Sequence, residues 1–196
     1  LEDSGWLTDR TWLAHGIHFN DDEIQRLGRA GTGIAHCPSS NMVLGSGLCR
    51  TLELEAAGSP VGLAVDGSAS SDHSNLASEM RQALLLGRLR YSPSQVTHEA
   101  VIRWATQGSA RCLGRTDIGG LEPGQQADLA LFKLDEPRFS GAENPLAALL
   151  LCGTHRADRV MVAGRWRVTG GQPCDVDLDA LMARHDEAAR QLRRAI

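Results

Sequence analysis

Three residues stand where reactive side chains are easiest to use: His15, His36 and Asp66 each follow a short apolar run. Thr11-Trp12-Leu13-Ala14 leads into His15, Gly33-Ile34-Ala35 into His36-Cys37-Pro38, and Val61-Gly62-Leu63-Ala64-Val65 into Asp66. A carboxylate and an imidazole held together can handle the proton of a metal-activated water, so the trio favours a metal-assisted hydrolytic site. Taken singly, each residue also has a structural reading. His15 can be a satisfied histidine at a strand end, and Pro38 after His36 fits a fixed turn. Asp66 closes an apolar run, where a carboxylate is costly unless it is paired, hydrogen-bonded or metal-bound. Its alternative is an N-cap or turn role in Gly67-Ser68-Ala69-Ser70-Ser71-Asp72, a small-residue loop that leaves room for a ligand.

The elements that must position these residues alternate along the first two thirds of the chain. After His15 a helix starts at Asn20, with Glu23 as its capping-box partner, and buries Ile24, Leu27 and Ala30 before Gly31 stops it. A second helix carries Leu52, Leu54, Ala56 and Ala57 and closes at Gly58-Ser59-Pro60. After Asp66 a long helix covers Asn75 to Leu89 with Met80, Ala83, Leu84 and Leu86 inward, and another runs from His98 to Leu113. Strand and helix in turn, with short links, are the rhythm of a parallel sheet or barrel. In a (β/α)8 barrel the C-terminal strand ends form the reactive face, which is where all three residues fall.

The rhythm changes after Gly114. A turn-rich stretch from Ile118 to Gly124 precedes the strand Ala127–Phe132, and Asp158–Val168 reads as a hairpin around Ala163-Gly164. The tail from Leu178 to Ile196 is amphipathic and Arg-rich, and reads as a surface helix. The expected division is 1–115 for the α/β part, 116–172 for a small β unit and 173–196 for the terminal helix.

Composition removes several classes of function. With 42% hydrophobic and 22% charged residues the 196-residue chain reads as an ordinary globular protein. A net charge of −4 argues against nucleic acid or an anionic membrane surface as partner. No apolar run is long enough to span a bilayer. Five cysteines, widely spaced and without a C-x-x-C, read as buried free thiols in a reducing cytoplasm. Leu1 is not an initiator Met, and residues before it are expected in the natural protein.

The stretches WLAHGIHFNDDEIQRLGRAGTGIAHCPSSNMVLGSG, VGLAVDGSASSDHSNLASEMRQALL and IGGLEPGQQADLALFKLD resemble the amidohydrolase superfamily, specifically its deaminase and chlorohydrolase branch. The segments Ser40–Gly47 and Asp66–Ser70 are most similar to its 8-oxoguanine-deaminating members. The resemblance implies an α/β fold: the C-terminal half of a (β/α)8 TIM-type barrel, strands six to eight, plus part of a small β-sandwich domain. His15 then ends strand six and contacts the activated water or the substrate carbonyl. His36, at the end of strand seven, and Asn41, in the loop beyond, face the substrate. Asp66 ends strand eight, where it ligates the metal and shuttles a proton, and Gly67 and Ser70 discriminate among ring substituents.

The implied cofactor is one divalent metal ion, zinc. The implied reaction is hydrolytic deamination of a small amino-substituted N-heterocycle, 8-oxoguanine or a related purine. Two alternatives stay open: an s-triazine hydrolase releasing chloride or an alkylamine, and an inactive truncated form without metal. The family also uses an H-x-H pair and a further His as ligands. His15-Gly16-Ile17-His18 has the wrong spacing for that pair, so these ligands are expected upstream of Leu1. The resemblance also leaves room for a homo-oligomer. The separate deaminase fold marked by H-x-E…P-C-x-x-C is excluded, because that combined signature does not occur.

Overall fold

Helix α1 (Asp21–Ala30) shows how local chemistry sets an element boundary. The Asn20 side chain accepts from the Glu23 N–H at 2.9 Å, and the Glu23 carboxylate accepts from the Asn20 N–H at 2.8 Å. Gly31 ends the helix with φ +67°, a left-handed conformation that glycine adopts without a Cβ penalty. The helix lies between β1 (Trp12–Ala14) and β2 (Gly33–His36), which pair in parallel, Leu13 opposite Ile34. Strand β3 (Val61–Leu63) pairs in parallel with the other side of β2, Ala35 opposite Gly62. All of β2 and β3 is buried, as expected for parallel strands covered by helices.

The computed structural model describes residues 1–153 and 156–194. Its first unit comprises Leu1–Gln126 with 134–153, and its second Ala127–Lys133 with 156–194. In the first unit, α2 (Pro38–Val43) and α3 (Thr51–Ala57) connect β2 to β3. Helix α4 (Leu76–Arg90) follows, its first turn capped by Asn75. Then α5 (His98–Arg103) continues through a π-helical turn (Trp104–Gly108) into α6 (Ser109–Cys112). The core lies between sheet and helices, around Ile34, Leu54, Val61, Leu84, Val101 and Trp104.

This packing fixes β3 and hence the chain that leads to Asp66. A Cβ on Gly108 would overlap the Val61 carbonyl oxygen, so the π turn lies directly against the strand. On the outer side of β3 the Leu63 N–H donates to Ser109 Oγ, and the Ser109 hydroxyl donates to the Leu63 carbonyl, both at 3.2 Å. Regular pairing stops at Leu63 rather than Val65, although the Ala64 N–H still donates to the His36 carbonyl at 2.9 Å.

Pro38 opens the short helix α2 rather than a simple turn; it stands at the first helical position, where its missing N–H costs nothing. Helix α7 (Pro145–Leu151) packs on α4 and α5, and the Arg81 guanidinium donates to the Leu151 carbonyl at 2.7 Å. Residues 134–153 therefore fold with the sheet-and-helix unit, although they fall within the 116–172 stretch.

The second unit is a four-stranded sheet of β4 (Leu129–Leu131), β5 (Arg159–Val162), β6 (Arg165–Thr169) and β7 (Gln172–Pro173), antiparallel in that order. Ala163 (φ +49°) and Gly164 (φ +77°) form the two-residue hairpin turn that the sequence places there. Helix α8 (Leu178–Arg194) buries no residue, as a solvated tail would not. All five cysteines are free; Cys37, Cys49 and Cys112 are buried, but Cys152 is half-buried and Cys174 exposed. Among the described residues no helix is long and apolar enough to cross a membrane.

Candidate active site

His15 and Asp66, just beyond the C-terminal ends of β1 and β3, share an uncommon backbone. Their φ angles are +68° and +63°, a region in which a residue with a Cβ is strained and which persists when the surroundings over-determine it. Both side chains turn toward one point, with His15 Nε2 3.7 Å from Asp66 Oδ2. His15 Nδ1 lies 2.9 Å from Asn41 Oδ1. An amide oxygen can only accept, so Nδ1 carries the hydrogen and Nε2 is left facing Asp66.

Asp66 is held from several sides. Its Oδ2 accepts the Ser40 hydroxyl at 2.5 Å and the Ser70 hydroxyl at 3.1 Å, and the two hydroxyl oxygens lie 2.9 Å apart. The Ser40 bond first, then the Gly67 N–H, the Ser70 hydroxyl and the nearby imidazole hold the carboxyl below its ordinary range, against a smaller opposing effect of burial. The side chains of His15 and Asp66 are 36% and 31% exposed. The cost of burying a charge therefore does not account for Asp66; its hydrogen bonds and left-handed backbone do.

The other expected site residues fall into two groups. Asn41 and Ser70 join the cluster directly, through His15 and Asp66 respectively. Gly67 lies beside it with open space, since a Cβ there would meet nothing within 4 Å. His36 is buried, and among the described residues its Nδ1 has no hydrogen-bond partner; the Asn41 Nδ2 amide is likewise unpartnered among them. Burial, and secondarily the proximity of His15, push the His36 imidazole down to about 4, so it is neutral at pH 7. Ser40 is a functional residue that sequence reasoning misses. A serine 26 positions from its carboxylate partner carries no local signal of the contact.

Whether this cluster suits a metal can be judged from its donors. Asp66 offers a partly exposed, deprotonated carboxylate, and an imidazole nitrogen converges on it. That fits one ligand with a neighbouring acid–base group. Among the described residues no three His, Cys, Asp or Glu side chains come together as a metal-binding group, so the donors present are part of a ligand set.

The model of the Amidohydrolase family matches residues 1–167. The chain belongs to the amidohydrolase family. Within the family it is 66% identical over 192 residues to 8-oxoguanine deaminase from Pseudomonas aeruginosa, covering 98% of this chain and 43% of that protein. Among solved amidohydrolase-like structures, an adenosine deaminase from Xanthomonas campestris with bound zinc superposes with a TM-score of 0.93 at 29% identity, over 98% of this chain and 45% of that one. Atrazine chlorohydrolase from Arthrobacter aurescens TC1, complexed with zinc, superposes with a TM-score of 0.89 at 38% identity, over 94% and 42% of the two chains. The chain thus spans less than half the length of these relatives.

Proposed function

We propose that this chain supplies the last three β/α units, strands six to eight, of an amidohydrolase barrel, and part of a small β-sandwich domain. The assembled enzyme hydrolyses an amino-substituted N-heterocycle, 8-oxoguanine or a related purine, to the oxo compound and ammonia. The observation that carries this reading is the meeting of His15 and Asp66 on left-handed backbone beyond the ends of β1 and β3, on either side of β2, in a chain 66% identical to an 8-oxoguanine deaminase.

Asp66 is one ligand of a divalent metal, zinc in this reading; the remaining ligands come from chain that precedes Leu1 in a protein of the relatives' length. The metal, when bound, supplies a water acidic enough to ionise near neutral pH. Asp66, kept as a carboxylate by Ser40, Ser70 and Gly67, takes the proton of that water and later passes it to the departing amine. His15, its Nδ1–H committed to Asn41, has Nε2 free to stabilise the tetrahedral centre that forms at the ring carbon. His36, Asn41, Gly67 and Ser70 line the substrate side, and the open space at Gly67 admits a ring substituent. The free thiols suit a reducing cytoplasm.

A second reading, release of chloride or an alkylamine from an s-triazine, draws on the 38% identity to atrazine chlorohydrolase. Ammonia and chloride release from a panel of purines and triazines separates the two. In the full-length enzyme, Asp66→Asn should lower kcat by about 1,000-fold or more, the range for loss of a proton-transfer group. Turnover and metal content close to wild type in that variant would remove Asp66 from both roles.

A further inference from the structure

Glu79 on α4 is completely buried, yet its ion-pair partner among the described residues is an imidazole, His73 Nε2 at 3.5 Å. A buried carboxylate is costly unless its oxygens are well occupied. Here Oε2 accepts the Ser39 backbone N–H at 3.0 Å, and Oε1 accepts the Ser71 hydroxyl at 3.4 Å. The Asn75 N–H donates to His73 Nδ1 at 3.2 Å, so the neutral ring carries its hydrogen on Nε2, facing Glu79 and Ser39 Oγ.

The arrangement matters because of what adjoins it. Ser39 precedes Ser40 and Ser71 follows Ser70, the two serines whose hydroxyls hold Asp66 Oδ2. One carboxylate thus ties the chain after β2 to the chain after β3, in each case one residue from a contact to Asp66. It also serves α2, whose N-cap residue Cys37 makes no side-chain cap, by accepting from an N–H of the first turn.

We propose that Glu79 is a positioning residue for the proton transfers at Asp66, acting through Ser40 and Ser70. The inference rests on the role given to Asp66 above. Glu79 touches neither Asp66 nor the reacting centre, so its loss acts on the carboxylate through the two loops that it ties together.

The test uses the full-length enzyme with wild type, Glu79→Gln and Glu79→Ala. Ammonia release from 8-oxoguanine is measured together with amide hydrogen exchange in segments 38–43, 66–72 and 21–30. Glu79→Ala should lower kcat about 100-fold, a larger factor than any rise in KM, the pattern of a displaced catalytic group. Exchange in both 38–43 and 66–72 should rise about tenfold or more while 21–30 stays unchanged. Glu79→Gln can still accept from the Ser39 N–H and donate to Ser71 Oγ, and should keep kcat within about tenfold of wild type.

Should Glu79→Ala not fold, Ser71→Ala takes its place, and exchange should rise in 66–72 alone. Unchanged exchange in these loops, a rise shared equally by 21–30, or a Gln variant as impaired as Ala overturns the proposal. If the wild type releases no ammonia, the functional reading fails, and the exchange pattern still decides whether Glu79 holds the two loops.

Discussion

The buried His36 ring makes a prediction at the scale of one residue. Its imidazole is depressed to about 4 by burial, whereas an unfolded histidine titrates near 6.5. Above about pH 6.5 neither state takes a proton and the effect is nil. As the pH falls through that value the unfolded chain is protonated and the native ring is not, so stability drops until about pH 4. The total is about 3 kcal/mol. The urea midpoint should therefore fall from about pH 7 to about pH 4.5, and His36→Gln should flatten that part of the profile. His15 and Asp66 were legible at this scale because each ends an apolar run. Ser40 and Glu79 were not: Ser40 is one of two adjacent serines, and Glu79 reads as an ordinary charge on a helix until the burial of that helix face is known.

Elements with strong local signals matched their expected positions, and those built by packing did not. Helix α1 was legible from its capping box and terminal glycine, and the β5–β6 hairpin from Ala163-Gly164. Helix α2 is too short for a period, and its first turn is satisfied by Glu79, 40 residues away. The helix expected from His98 to Leu113 is interrupted by a π turn at Trp104–Gly108, where it meets β3. Gly108→Ala would drive a methyl into the Val61 carbonyl, an overpacking that should cost about 1–3 kcal/mol. Chemical denaturation of the variant checks this, and a midpoint equal to wild type would mean that helix and strand can separate without penalty.

At the scale of the whole molecule the question is how many metal ligands one chain brings. The described residues contain no metal-binding trio, and Asp66 is a single carboxylate. The 196-residue polypeptide by itself should therefore hold well under one equivalent of zinc and release no ammonia, whereas on the proposed reading a protein of the relatives' length should bind zinc stoichiometrically and release ammonia. Elemental analysis of the two purified proteins is the measurement. Stoichiometric zinc on the shorter one would break the ligand assignment.

The sequence by itself determined the strand-and-helix alternation around His15, His36 and Asp66, the apolar runs that lead to them, and the family, because these depend on local caps, apolar runs and contiguous motifs. Only the tertiary structure decided which residues hold Asp66. The Ser40 and Glu79 contacts join segments 26 and 40 residues apart, and such contacts exist only once parallel pairing of β2 with β3 brings their C-terminal ends side by side.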